Sequence, residues 1–207
     1  EREGEGFLKR ASQVDLICGP SNLDELPMLV HNAVTSKKVQ VSLSGHNSRR
    51  SSTLDAAEDR LENLDLSRAF SPTEAGKTQA YVRITRGCNK FCTYCVVPNT
   101  RGAEVHRPPD AIVEECRKLA ESGVLEVTLL GQTVNHYRYT HGMALSVDGK
   151  EVPQIGPSLK AFRQEVPQDQ QVTTFANLLQ RIHDEVPEIM RLRFVTSYPR
   201  DFGDDIL

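Results

Sequence analysis

Three cysteines within eight residues form the part of the sequence best suited to chemistry. Cys88, Cys92 and Cys95 are separated by three and then two residues, and they follow a short apolar segment. Thiolates bind zinc and iron–sulfur clusters, and both usually take four protein ligands. No fourth Cys or His lies at the usual spacing, and His106 is the nearest candidate. A cluster held by three thiolates leaves one iron open, which suits a reactive centre better than a structural one.

The composition predicts a folded protein rather than a disordered or membrane-spanning chain. The 207 residues are 38% hydrophobic, and the apolar runs are too short for a membrane helix. A net charge of −3 excludes a uniformly basic nucleic-acid binder but allows a local basic patch. Five cysteines, an odd number with three crowded together, do not resemble a secreted disulfide framework. We therefore expect a cytoplasmic protein without a membrane partner.

The region from residue 80 onward alternates strands and helices, which predicts an α/β fold with a parallel sheet. One helix opens at Pro108–Asp110 and closes at Gly123, and another begins near Thr174. Three strands are predicted at Tyr81–Thr85, Val124–Leu130 and Met190–Val195. The cysteines follow the first strand, Gly131-Gln132 follows the second, and Ser197 follows the third. Cys116 lies on the apolar face of the first helix and is therefore assigned to packing.

The remaining segments are predicted from their composition. Residues 1–35 indicate a helix, a strand at Val14–Cys18 and a second helix, with Cys18 as a buried small side chain. Residues 36–79 are largely polar and predict a linker. Residues 138–172 are too long for an ordinary connection, so we interpret them as an inserted surface loop. Within that loop, Asp148-Gly149 predicts the tight turn of a hairpin.

Five segments of the sequence resemble a known enzyme family. The three-cysteine motif, with Tyr94 before its last cysteine, resembles the radical S-adenosylmethionine superfamily. The flanking residues resemble one branch, the tRNA adenosine methylthiotransferases. The matching segments are Val14–Leu23, Arg86–Pro98, Thr100–Gly102, Leu129–Asn135 and Arg193–Phe202.

The resemblance implies a domain organisation. Residues 80–207 would form a partial parallel (βα) barrel of the radical S-adenosylmethionine type, incomplete at its C-terminus and carrying the loop at about 138–172. Residues 1–35 would be the C-terminal end of the α/β methylthiotransferase N-terminal domain, and 36–79 the linker. The family also carries a second [4Fe–4S] cluster, expected in the full-length protein, and its three cysteine ligands are absent from this chain.

The resemblance also implies a reaction. Cys88, Cys92 and Cys95 would hold a [4Fe–4S] cluster whose open iron binds S-adenosylmethionine. Tyr94 would lie near the adenine of that cofactor, and Gly131 and Gln132 would face its methionine part, with Ser197 as a further contact. The family uses an electron from the cluster to cleave the cofactor and adds a methylthio group to C2 of an N6-prenylated adenosine near the tRNA anticodon, at position 37. Its partners would be tRNA and an electron donor such as flavodoxin or ferredoxin.

Two other readings remain open at the level of sequence. The cysteine loop could bind zinc and stabilise a binding module without catalytic activity. The chain could also belong to a branch that modifies a ribosomal protein or threonylcarbamoyladenosine. Metal analysis separates the first alternative from the enzyme, because the enzyme would contain iron and sulfide and the binding module one zinc ion.

Overall fold

The computed structural model describes residues 4–19, 22–43, 78–156 and 171–206. The N-terminal part begins with a 3₁₀ helix, Gly4–Phe7, and continues with β1 (Leu16–Cys18), α1 (Leu26–Ser36) and β2 (Gln40–Ser42). Strands β1 and β2 pair in parallel. Pro27 lies in the first turn of α1, where a missing N–H costs no helical hydrogen bond.

Strand β2 corrects the predicted start of the linker. The range 36–79 was expected to be a connection, but Gln40–Ser42 belongs to the N-terminal unit because it pairs with β1 along its whole length. Three residues are too few for an alternating pattern to reveal a strand. The rest of the predicted linker, from 44 to 77, lies outside the described residues.

The C-terminal part alternates strands and helices from residue 79 onward. Its elements are β3 (Gln79–Arg83), β4 (Thr85–Arg86), α2 (Val97–Thr100), β5 (Val105–His106), α3 (Pro109–Glu121), β6 (Glu126–Leu130), β7 (Arg138–Thr140), β8 (Gln154–Ile155), β9 (Val172–Thr174), α4 (Phe175–Glu185) and β10 (Arg191–Phe194). Short 3₁₀ helices cover Val134–His136, Pro199–Asp201 and Asp204–Ile206. The described residues thus form a mixed α/β fold, as the sequence predicted.

A three-stranded parallel sheet of order β10-β6-β3 is the centre of this part. Its two faces differ sharply in burial because strand side chains alternate between them. Val82, Val127 and Leu129 are completely buried on the helix-covered face. On the other face Tyr81, Thr128 and Arg193 lie side by side in register, and Tyr81 is 71% exposed.

Helices α3 and α4 cover the buried face of the sheet. The predicted stripe of α3 is confirmed, since Ile112, Val113 and Cys116 are at most 1% exposed. Helix α4 begins where expected, because the Thr174 hydroxyl accepts a hydrogen bond from the Asn177 N–H and the Asn177 side-chain oxygen accepts one from the Thr174 N–H. Among the described residues no helix is both long enough and apolar enough to cross a membrane.

The inserted segment is more ordered at its ends than a surface loop would be. Strand β7 pairs antiparallel with β9, and β8 adds to β5, which also pairs with β4. Tyr139 is completely buried and donates a hydrogen bond to the carbonyl of Val152 at 2.8 Å. The predicted hairpin turn is present, with Gly149 at φ +74°. Residues 157–170 lie outside the described residues, so the loop prediction is corrected only for the flanking strands.

Candidate functional site

The cysteine loop is held in place by a close contact between two main-chain segments. Gly87 follows β4 with φ +70°, and a Cβ atom on it would lie 2.0 Å from the carbonyl oxygen of Ala103. The Cys88 main-chain N–H then donates to the carbonyl of Gly102 at 3.2 Å. Only glycine fits this position, so the chain can turn directly from the strand into the cysteine motif.

The three cysteines differ in exposure and have no disulfide partner. Cys88 is buried, Cys95 is half-buried and Cys92 is exposed. A turn joins the last two, because the Cys95 main-chain N–H donates to the carbonyl of Cys92 at 3.0 Å. The Lys90 main-chain N–H lies 3.4 Å from the Cys88 sulfur, and burial raises the pKa of the Cys88 thiol. Cys116 is buried in the core with a pKa raised by burial to about 12, which agrees with its assignment to packing.

A second loop, residues 131–135, follows β6 and meets the cysteine loop. Thr133 Oγ1 lies 3.8 Å from the Cys88 sulfur. A Cβ atom on Gly131 would lie 2.1 Å from Thr85 Oγ1, so the main chain of this loop packs directly against Thr85 in β4. Gln132 is half-buried at this place.

A third segment, residues 196–201, follows β10 and is fastened to the second loop. The Asn135 side chain donates to the carbonyl of Tyr198 and accepts its N–H, both at 2.8 Å. Thr196 Oγ1 donates to the carbonyl of Gly131 at 2.7 Å, and Thr196 has a left-handed φ of 67°. Such strain in a non-glycine residue persists only where its surroundings hold it.

Lys90 joins the cysteine loop to the third segment. Its ammonium forms an ion pair with Asp201, and the two side chains are only 5% and 8% exposed. The same ammonium lies 4.3 Å from the centre of the Tyr198 ring, within cation–π range. The loops after the first, second and third sheet strands are therefore connected into one rim. Sequence reasoning gave no role to Lys90, Asn135 or Asp201, because their contacts join residues 63 to 111 positions apart.

The residues predicted to contact S-adenosylmethionine all lie on this rim. Tyr94 is on the cysteine loop with its side chain 92% exposed, Gly131 and Gln132 are on the second loop, and Ser197 is exposed on the third segment. The structure thus places all four after the C-terminal ends of the strands. The contacts themselves stay predictions.

Behind the cysteine loop lies a polar cluster that the sequence did not reveal. Glu104, His106 and His136 are all completely buried. Burial raises the pKa of Glu104, but hydrogen bonds from the two histidines outweigh that effect and lower the pKa to about 2. His106, the nearest histidine to the cysteines in sequence, is thus engaged with Glu104 through Nε2.

Replacing Gly87 by alanine should destabilise the protein far more than the same change at Gly142. Both have a left-handed φ, +70° and +76°, but a Cβ on Gly142 would meet nothing within 4 Å. Gly142→Ala is therefore the control, and it measures the cost of placing alanine in a left-handed conformation, about 1 kcal/mol. We expect Gly87→Ala to cost at least about 2 kcal/mol more, since the Ala103 carbonyl must move. Denaturant unfolding measures both, and equal losses would contradict the close contact.

Comparison with known proteins identifies the family. A family model described as the Radical SAM superfamily matches residues 82–201. The chain belongs to the radical SAM superfamily. The matched range contains most of the sheet, the cysteine loop and the loops that meet it, and the superfamily that the three-cysteine motif resembles is confirmed.

Similar curated proteins share one name, tRNA-2-methylthio-N(6)-dimethylallyladenosine synthase. The protein from Rhodopirellula baltica is 37% identical over 208 residues, covering the whole chain and 37% of the relative. Those from Haemophilus influenzae and Aliivibrio fischeri are 39% and 38% identical over 206 residues, covering the whole chain and 34% of each relative. The chain thus spans about a third of the length of these relatives.

The donor set in this radical SAM chain fits the iron–sulfur cluster that the superfamily implies. Three cysteines without disulfide partners share one loop, and the sulfur of Cys88 lies within reach of the Lys90 N–H. Main-chain N–H groups directed at cysteine sulfurs are a usual feature of such clusters.

Proposed function

We propose that the protein containing this chain is a tRNA methylthiotransferase that adds a methylthio group to C2 of N6-prenylated adenosine near the anticodon. The observation that carries the proposal is the rim itself. The three-cysteine loop is joined by Thr133 and Lys90 to the two loops that follow the next strands. The shared name of the similar proteins supports the substrate.

The strand order supports a partial parallel (βα) barrel. The three parallel strands lie in the sheet in their chain order, β3-β6-β10, with helix α3 between the first two along the chain and helix α4 between the last two. This stepwise progression is how such barrels are built, and their active sites lie at the C-terminal ends of the strands. The unit containing β1, α1 and β2 would then be the end of the preceding methylthiotransferase domain.

Cys88, Cys92 and Cys95 would hold the [4Fe–4S] cluster, which supplies the electron that cleaves S-adenosylmethionine. The residues of the chain do the positioning. Gly131 lets the main chain of the second loop approach Thr85, which leaves Gln132 at the rim. The exposed ring of Tyr94 is available to cover an adenine. The electron would come from a small carrier such as flavodoxin or ferredoxin.

The open face of the sheet supports a polar substrate. Thr128 and Tyr81 lie side by side in the middle of this face. The ion pairs of Glu126 with Arg191 at 3.1 Å and Arg193 at 3.0 Å lie nearer the N-terminal ends of the strands, away from the rim. In a barrel this face lines the interior. Its hydrogen-bonding groups and one aromatic ring suit a nucleobase better than an apolar chain.

The proposed function is tested by nucleoside mass spectrometry. The protein containing this chain is expressed in a bacterium that lacks its own tRNA methylthiotransferase. We expect 2-methylthio-N6-prenyladenosine to reappear in the tRNA, and Cys92→Ala to abolish it. A methylthio group found only on threonylcarbamoyladenosine, or on no nucleoside while the protein is folded and carries its cluster, would overturn the proposal.

Gln132→Ala should weaken S-adenosylmethionine binding without changing the iron content. Loss of one hydrogen bond to a charged cofactor group corresponds to roughly a tenfold to hundredfold weaker affinity. Titration of the cofactor into the reduced protein, followed by electron paramagnetic resonance, measures this. Gln180→Ala is the control, because that amide lies on the outside of α4 and donates to Asp184 one turn further along the helix. Equal affinity for both variants would remove Gln132 from the cofactor site.

A further inference from the structure

The buried cluster of Glu104, His106 and His136 lies apart from the cysteines and has no role in the proposed reaction. Each side chain is 0–1% exposed. Glu104 Oε1 lies 2.7 Å from His106 Nε2 and 2.7 Å from His136 Nδ1. The three potential ligand atoms all lie within 4.8 Å of one another. Two imidazoles and a carboxylate form the donor set that proteins offer to zinc and similar divalent ions.

The orientation of His106 favours a cation at its Nε2 atom. Its Nδ1 atom faces the main chain of Arg138, 2.9 Å from the carbonyl oxygen and 3.1 Å from the nitrogen. With its proton on Nε2, the ring accepts the Arg138 N–H at Nδ1 and donates to the Glu104 carboxylate at 2.7 Å. With its proton on Nδ1, the ring donates to the Arg138 carbonyl, and Nε2 is free to bind a divalent ion in place of the displaced proton. A second ring nitrogen bound to a main-chain carbonyl is typical of metal-binding histidines.

The carboxylate of Glu104 has an unused oxygen. Oε2 is buried and has no hydrogen-bond partner among the residues that the structure describes. A buried carboxylate oxygen without a partner costs free energy, which a bound cation would recover. The His106 ring is also held before any ion arrives, because it stacks on Tyr137 at 5.3 Å between centroids.

Gly156 packs closely against the His106 ring. A Cβ atom on this residue would lie 2.6 Å from Nε2, so any side chain would press on the potential ligand atom. Its φ is not in the left-handed region, so the main-chain conformation does not require glycine. The Gly156 N–H also donates to the carbonyl of Glu104 at 2.8 Å, which holds Gly156 against the cluster.

We propose that Glu104, His106 and His136 bind one divalent transition-metal ion of the zinc class, as a structural site. A tetrahedral ion at about 2.0 Å from its ligands would separate them by roughly 3.3 Å. Glu104 Oε1 now lies 2.7 Å from each ring nitrogen, so a shift of about half an ångström would admit the ion. Full burial leaves no access for a substrate. The ion would join the chain after the cysteine loop to the chain after the second loop, and binding would release protons from the imidazoles.

The test uses Zn²⁺ as the probe, and the three loop cysteines are replaced so that they cannot bind it. The chain with Cys88, Cys92 and Cys95 all replaced by serine is dialysed against micromolar Zn²⁺ and then against buffer, and its metal is measured by mass spectrometry. We expect about one zinc per chain, and a higher thermal unfolding midpoint with zinc than without. Glu104→Gln or His136→Gln in this background should lose at least about nine tenths of the zinc.

His141→Gln is the matched control, because this half-buried histidine pairs with Glu151 and Thr173 away from the cluster. It should keep the zinc. Should the ligand variants fail to fold, Co²⁺ in the chain with the three serine replacements gives an independent result. We expect visible bands of nitrogen and oxygen ligation without sulfur charge-transfer bands. No retained metal, no such bands, or zinc that survives His136→Gln in a folded chain would overturn the proposal and leave the cluster held by protons.

Discussion

Cys92→Ala should eliminate cluster iron, whereas Cys116→Ala should leave it unchanged. Anaerobic reconstitution is expected to load about four irons with sulfide per chain on the three cysteines of the loop. Cys92 is exposed on that loop, so its replacement removes a ligand without opening the core. Two thiolates do not retain a cluster of this kind, and the brown absorption should disappear. Iron and sulfide analysis measures the change directly.

The control is chosen so that both changes remove one thiol. Cys116 lies on the buried face of α3 with no exposed surface, and its replacement leaves only a small cavity, at a cost of about 1 kcal/mol. Equal iron loss in the two variants would show that Cys116 takes part in cluster binding. Full iron retention in Cys92→Ala would mean that the cluster is held elsewhere.

The local patterns of the sequence predict the elements that carry the site. The period of Ile112, Cys116 and Leu119 places one face of α3 in the core, and all three residues are at most 5% exposed. The spacing of the cysteines predicts their shared chemistry because ligands close in sequence must lie close in space. From the sequence, Gly87 at the start of the loop indicates only a turn. The structure shows why glycine is needed there, because Gly87 packs against the main chain of Ala103.

Contacts between distant residues could not be predicted in this way. The bonds between Asn135 and Tyr198 join residues 63 positions apart, and the ion pair of Lys90 with Asp201 joins residues 111 apart. Nothing in the local pattern of either partner indicates the other. The same is true of the pairing between β7 and β9, which gives the inserted segment a structured base.

The burial of several polar residues could not be predicted from the sequence either. Glu104, His106 and Arg107 are consecutive or nearly so, and such residue types normally lie on the surface. All three are completely buried, and each meets a partner from another element: His136 for Glu104, the Arg138 main chain for His106 and Glu115 for Arg107. Only the fold brings those partners within reach, so the sequence alone favours an exposed turn.

Arg107 and Glu115 form a buried ion pair that should be essential for stability. The guanidinium donates to the Glu115 carboxylate at 2.7 Å, and the two side chains are 0% and 3% exposed. Arg107 also donates to the carbonyl of Arg83 at 2.6 Å, which connects β3 to α3 just before the helix begins. Removal of the Glu115 charge leaves the buried Arg107 guanidinium without this ion pair.

We therefore expect Glu115→Gln to lower the free energy of unfolding by about 3 kcal/mol or more. Asp110→Asn on the same helix is the control. Its carboxylate is 72% exposed and pairs with Arg181 at 2.9 Å, so water replaces most of the lost interaction. The control should lower the free energy of unfolding by less than about 1 kcal/mol, even though the Asp110 charge in the first turn also interacts favourably with the helix dipole. Denaturant unfolding of both variants measures the difference.

The outcome also tests how the rim is supported. Arg107 follows β5, and its carbonyl accepts a hydrogen bond from the Tyr137 hydroxyl at 2.8 Å, so it lies between the cysteine loop and the chain after the second loop. If Glu115→Gln weakens the fold as expected, iron retention should become more sensitive to mild denaturant than in Asp110→Asn. A loss of stability below that of the control would show that main-chain carbonyls alone compensate the buried guanidinium, and that α3 is held to the sheet by its apolar face.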